Sequence, residues 1–221
     1  MKASVGWGGA RVKRNEERAS RAEIFAQLER LTSPQAVVVV NDVAKMLQEG
    51  EADQAMEQLQ TFDAAIGGIG LHSATPKRKL PGVYRPITYV DLLLRNRDRQ
   101  EFARSIIIAT GGHIESILKR MARLNLFERL RAGLDRLPMG ALVNNLKGQL
   151  PQSLCDELLW FSNHVYNFAK HKYELGDEMG NQPPEHYFAL DEAIAIYLIA
   201  RRLAIRLEEH SSRLRGEWEA E

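Results

Sequence analysis

The stretch 189–207, ALDEAIAIYLIARRLAIRL, gives the strongest indication of the fold. Its first twelve residues are apolar on nearly every side of a helix, with Asp191 and Glu192 as the exceptions. This predicts a helix over about Leu190–Leu214 that is buried against other helices or against another chain. Three arginines follow in its second half, where cations suit the helix dipole and can line a phosphate site. They are Arg201, Arg202 and Arg206.

Apolar residues at three- and four-residue steps predict helices over most of the remaining chain, and therefore an all-α bundle of about seven to nine helices. The first three helices span about Asn15–Leu31, Pro34–Gln48 and Ala52–Ile66, and they include an N-terminal helical hairpin. For Pro34–Gln48 a β-strand is the competing interpretation, because the valine run 37–40 has high strand propensity.

Glycine, proline and charge mark the divisions of the chain. Thr88, with Asp91 three residues later, resembles a capping box that opens the helical sequence after the linker. Gly111-Gly112 either breaks that sequence or allows two helices to approach closely. The expected divisions are a solvated basic arm over residues 1–14, N-terminal helices over 15–66, a linker over 67–87 and a helical bundle over 88–215.

Composition excludes several classes of protein. The 221 residues carry 30 Lys and Arg against 29 Asp and Glu, so the chain is neither histone-like nor an acidic tail. The single cysteine, Cys155, excludes an intramolecular disulfide and a cysteine-rich zinc site. The amino-terminal residues lack the apolar core of a signal peptide, and no apolar run is long enough for a membrane span. We therefore expect a soluble, cytoplasmic protein without membrane contact.

The charges are unevenly distributed along the chain. Residues 41–63 contain six acids and one base, whereas residues 77–136 contain fourteen bases and six acids. The basic segment favours one positive face suited to nucleic acid, and it begins with the triplet Lys77, Arg78 and Lys79. The alternative is that many of these basic side chains only lie on solvent-exposed helix faces and bind no ligand.

A polar seam interrupts the helix predicted over about Gln152–Lys172. At 100° per residue, five side chains fall on a side separate from the apolar row, which runs from Leu154 to Phe168. Asn167 and His171 are one helical turn apart, so both side chains can reach one small group. The seam consists of Trp160, Asn163, His164, Asn167 and His171.

The seam has a structural interpretation beside the functional one. Buried amides and imidazoles can satisfy one another or bond the carbonyls of a neighbouring helix. A metal site is disfavoured, because His164 and His171 lie seven positions apart, about 10 Å along a helix axis. We therefore predict no metal and no cofactor.

The segment containing these residues resembles the HEPN superfamily of all-helical domains. The resemblance rests on Tyr166–His171, on His186–Phe188 and on Asp191–Ala193 followed by the apolar helix. It implies an up-and-down helical bundle, usually dimeric, with a polar motif on a late helix facing the partner. Many members are metal-independent ribonucleases of toxin–antitoxin, CRISPR or phage-defence systems, and others only bind nucleotides or proteins.

The family motif is an arginine, often followed by a polar residue, with a histidine four to six positions beyond the arginine. His171 matches the histidine and Asn167 the polar position, but Tyr166 stands where the arginine is expected. The resemblance implies an RNA-binding protein or a metal-independent endoribonuclease of the toxin or defence type. In that role His171, Asn167 and Lys170 are the catalytic candidates.

Nucleic-acid contacts are expected from Tyr166, His164, Arg201, Arg202 and the basic triplet Lys77, Arg78 and Lys79. The expected partners are RNA, a second copy of the chain, and an antitoxin or other protein. The alternative function is a non-catalytic dimerisation or protein-interaction module in which the same seam orders the interface.

Overall fold

A computed structural model describes residues 18–68, 81–99, 101–123, 133, 136–171 and 188–219, with side chains at all of these except 81–83, 171 and 212–219. The regular elements of this part are helical, and its only bridge joins Lys147 and Leu150. The all-α prediction is confirmed. The helices are α1 (Arg21–Leu31), α2 (Gln35–Glu49), α3 (Ala52–Ala65), α4 (Pro81–Arg95), α5 (Ala103–Arg123), α6 (Met139–Asn145), α7 (Gln152–Phe161), α8 (Asn167–His171) and α9 (Leu190–Glu219), with a π-helical turn, Ser162–Tyr166, between α7 and α8.

Local sequence explains the three N-terminal helices. Ser20 and Glu23 form a capping box at the start of α1, in which each side chain bonds the other residue's backbone N–H. The valine run lies inside α2, because Val39 and Val40 continue a buried stripe at helical spacing with Val43, and the strand alternative is wrong. Gly50 ends α2 with a φ of 89°, a left-handed conformation that glycine adopts without strain, and α3 then packs back against α2.

Helices α4 and α5 differ from the prediction at three points. α4 begins at Pro81, inside the segment expected to be linker, and Pro86 lies within it. Thr88 is therefore an interior residue and not a cap, and its hydroxyl donates to the Tyr84 carbonyl 3.2 Å away. The helix that ends at Arg95 and the one that begins at Ala103 are separate, and α5 runs through Gly111-Gly112 without interruption.

The apolar helix predicted from 189–207 is the centre of the bundle. Every residue from Ala193 to Arg201 is buried, and α9 packs against α1, α2, α5 and α7. α4 in turn packs against α3 and α5. Among the described residues, none of the helices combines the length and apolar character needed to cross a bilayer. The predicted arm over residues 1–14 and most of the predicted linker lie outside the described part.

One polar cluster lies inside the apolar core and joins three helices. The Arg201 guanidinium donates to both carboxylate oxygens of Asp63, at 2.7 and 3.2 Å. Its third nitrogen lies 2.8 Å from Nε2 of His113, which must accept because a guanidinium can only donate. Burial alone would lower the pKa of Arg201, but the bonds to Asp63 outweigh this effect and the pKa is raised. All three side chains are buried, so α3, α5 and α9 are joined by charge as well as by packing.

Removing Asp63 leaves the Arg201 charge buried and uncompensated. We expect Asp63→Ala to lower the free energy of unfolding by about 3–5 kcal/mol, measured by urea denaturation. The double variant Asp63→Ala/Arg201→Met, which removes both charges, should cost less than Asp63→Ala alone. Glu49→Ala is the control, because Glu49 forms an exposed pair with Lys45 and should change stability by only about 0.5 kcal/mol. A cost for Asp63→Ala as small as that of the control would contradict this role.

Candidate functional site

The helix that carries the predicted seam is interrupted by the π-helical turn. The Asn167 N–H donates to the Ser162 carbonyl, five residues earlier, which is the π-helical pattern. The His164 carbonyl accepts instead from the Ala19 N–H, at 3.0 Å, so the segment before α1 satisfies a carbonyl of the turn. Such turns are frequent at functional sites. Asn163 and His164 therefore lie in the π-helical turn, and Asn167, Lys170 and His171 lie in α8.

The buried side of this helix is broader than the predicted core row. The sequence predicts a row that continues through Val165 to Phe168; Val165 is fully buried, but Phe168 is only half-buried. Ser162, Tyr166 and Ala169, each one position beyond a residue of the row, are buried as well. Tyr166 therefore points inward beside Val165.

Tyr166, which stands at the arginine position of the HEPN motif, is anchored to α5. Its ring packs on Gly111 so closely that a Cβ at that glycine would lie 2.1 Å from the ring. Its hydroxyl donates to Glu115 at 3.1 Å, and burial raises the pKa of the phenol. Gly111 thus allows a close helix approach, which was one of the two alternatives from the sequence. Tyr166 therefore supplies no positive charge to a ligand at the position where the motif has an arginine.

The remaining seam residues are more exposed. Asn167 is half-buried, and its amide reaches Ser162 Oγ only at 3.5 Å, the limit of a hydrogen bond. Lys170 is exposed, with its ammonium 5.4 Å from the centre of the Tyr166 ring. The backbone of His171 ends α8, and its side chain lies outside the described part. The convergence of Asn167 and His171 stays a prediction.

Helix α5 places three further charges beside this segment. Arg104 donates to the Ala169 carbonyl at 2.7 Å, and Lys119 lies 2.5 Å from Glu115. With Tyr166 and Lys170 these residues line the contact of α5 with the π-helical turn and α8, which we call the α5–α8 patch. The patch has three cations and one carboxylate, and it is extended, because Arg104 and Lys119 lie 15 positions apart on α5, about 22 Å along the helix. Arg104, Glu115 and Lys119 were not among the residues expected at the site, although the Glu115–Lys119 spacing is that of a helical ion pair.

The arginines predicted to bind phosphate from α9 are engaged elsewhere. Arg201 is buried in the cluster with Asp63, so the predicted phosphate contact does not suit its position. Arg202 donates to the Ile66 carbonyl at 3.0 Å and thereby caps the end of α3. His164 is half-buried in the π-helical turn. Lys77, Arg78 and Lys79 lie outside the described residues.

Part of the basic segment also serves the fold. Arg95 pairs with Asp53 of α3 and Asp91 of its own helix, and Arg99 donates to the carbonyls of Leu47 and Leu94. These contacts fix the turn between α4 and α5 against α2 and α3. The count of bases in residues 77–136 therefore overstates the charge available to a ligand.

No cluster of three or more metal-ligating side chains is found in the described ranges. The chain matches no protein-family model, and searches of curated proteins and of solved structures return no match. The HEPN resemblance therefore remains a prediction from the sequence.

The contact between Tyr166 and α5 can be tested with two adjacent glycines. Gly111→Ala should lower the free energy of unfolding by about 1–3 kcal/mol, because the new methyl group would overlap the buried ring. Gly112→Ala is the matched control, since its methyl group would lie 4.0 Å from Pro86, and it should be stabilising through helix propensity. Both variants can be compared by thermal and urea unfolding. Equal effects at the two positions would contradict the close contact.

Proposed function

We propose that the protein binds RNA through the α5–α8 patch. The observation that carries this proposal is the row of cations along the contact of α5 with α8. Arg104 lies at the Ala169 carbonyl, Lys170 beside the Tyr166 ring, and Lys119 against Glu115. Phosphate groups dominate the affinity of proteins for nucleic acid, and they require cations that remain near the surface. Lys170 is exposed, and Asn167 beside it adds a carboxamide with only a weak internal bond.

Binding without cleavage is the form of this function that the contacts favour. Metal-free cleavage needs an acid, a base and stabilisation of charge on the phosphorane. Tyr166 stands at the motif's arginine position and is engaged with Glu115. Arg201, which the sequence suggested for the phosphate, is engaged with Asp63. Lys170 remains, and lysine is a point charge without the bidentate fork of arginine.

Fluorescence anisotropy with a labelled single-stranded RNA of about 20 nucleotides tests the proposal. The wild-type protein should bind, and its affinity should fall as salt rises from about 50 to about 200 mM. Lys170→Ala should weaken binding several-fold at low salt and reduce the slope of log affinity against log salt by about 0.7. Lys45→Ala, which removes an exposed lysine of α2, is the control and should bind as the wild type does.

Two results would identify a different function. RNA cleavage that disappears in His171→Ala would identify the ribonuclease that the resemblance implies. A protein without salt-dependent RNA affinity, but with a dimer that Asn167→Ala dissociates in light scattering across dilution, would identify the alternative function. In that case the seam orders an interface and the protein is a helical interaction module.

A further inference from the structure

Glu115 occupies an unusual place in the α5–α8 patch. It is the carboxylate of the patch and pairs with one of its cations, Lys119, and its side chain is 13% exposed. One carboxylate oxygen lies 2.5 Å from the Lys119 ammonium, and the other accepts from the Tyr166 hydroxyl at 3.1 Å. Each oxygen thus has one donor, Lys119 from α5 for the first and Tyr166 from the π-helical turn for the second.

The donors that hold Glu115 are of the type that would hold a phosphate. A phosphodiester carries one negative charge over two oxygens, as a carboxylate does, and it prefers the same ammonium and hydroxyl partners. While Lys119 is paired with Glu115, its charge is neutralised locally, and the carboxylate also repels a phosphate that approaches Lys170. RNA must therefore compete with an anion of the protein itself.

We propose that Glu115 is a specificity-determining residue of the patch, an internal anion that competes with RNA phosphate for Lys119 and lowers the affinity. This inference rests on the proposed RNA binding and adds the residue that limits it. Weak or short polyanions would fail to displace Glu115, whereas a longer RNA would do so through the summed contacts of its phosphates.

Glu115→Gln removes the charge but keeps the shape and a carbonyl acceptor for Tyr166. We expect its RNA affinity to rise about threefold to tenfold at about 50 mM salt, because Lys119 becomes available for one further phosphate. The slope of log affinity against log salt should steepen by about 0.7, so the gain should shrink by about threefold at about 200 mM salt. A change confined to folding would not alter this slope in that direction.

Three further variants complete the test. Glu49→Gln removes an acid from another glutamate–lysine helical pair, Lys45–Glu49 on α2. It should leave RNA affinity unchanged although the net charge changes equally. Glu115→Asp keeps the charge and should bind within about twofold of the wild type. Glu115→Ala should bind more tightly, as Glu115→Gln does, which keeps the test decisive if the glutamine variant does not fold.

The outcomes distinguish a failure of this inference from a failure of the proposed RNA binding. A wild-type protein without salt-dependent RNA affinity overturns both. A wild-type protein that binds RNA, with folded Glu115→Gln and Glu115→Ala variants that bind equally or more weakly, overturns the role of Glu115 alone. A gain of equal size in Glu49→Gln would assign the effect to net charge and would also overturn it.

Discussion

The buried pair of Arg201 and Asp63 is the constraint on which the arrangement of helices depends. An apolar helix such as α9 can rotate and slide among similar partners, because hydrophobic contact has little direction. The guanidinium has a fixed geometry, and its bonds to Asp63 and His113 are satisfied at only one rotation of α9 against α3 and α5. The cluster therefore fixes a register that packing alone would leave open, which is a recognised use of buried polar groups.

The contact of Tyr166 with α5 has the corresponding role at the candidate site. Tyr166 is buried in this contact, while Lys170, four residues later, remains exposed. The bond from Tyr166 to Glu115, and that from Arg104 to the Ala169 carbonyl, attach the π-helical turn and α8 to α5. Through these contacts the charges of α5 lie along α8.

The sequence predicts those parts of the fold that depend on local periodicity. The helix through the valine run and the buried centre of α9 follow from spacings within a few residues, and both are confirmed. The role of Arg201 could not be predicted in this way, because its partner Asp63 lies 138 residues away along the chain. Thr88 was misassigned because a threonine hydroxyl can bond an amide at a cap or a carbonyl inside a helix, and the sequence does not distinguish the two.

The candidate site was predictable only in part, for a related reason. The exposed Lys170 and half-buried Asn167 follow from the helical spacing, but the π-helical turn has no sequence signal that we identify. From the sequence Tyr166 is only a neighbour of the seam, because its partner Glu115 lies 51 residues away along the chain. Glu115 and Lys119 were visible as a helical pair, yet only tertiary structure relates them to α8.

The hydrogen bond from the Ala19 N–H to the His164 carbonyl has a practical consequence. It secures the start of the described chain on the π-helical turn, six residues before Lys170, which is about 9 Å at 1.5 Å per residue. Arg18 and Arg21 secure the same segment through Glu192 and Asp191 at the start of α9. A purification tag joined directly to Arg18, in place of residues 1–17, would therefore emerge close to α8, and a polyhistidine tag would add imidazoles there. In a chain shortened in this way the tag is better joined beyond α9.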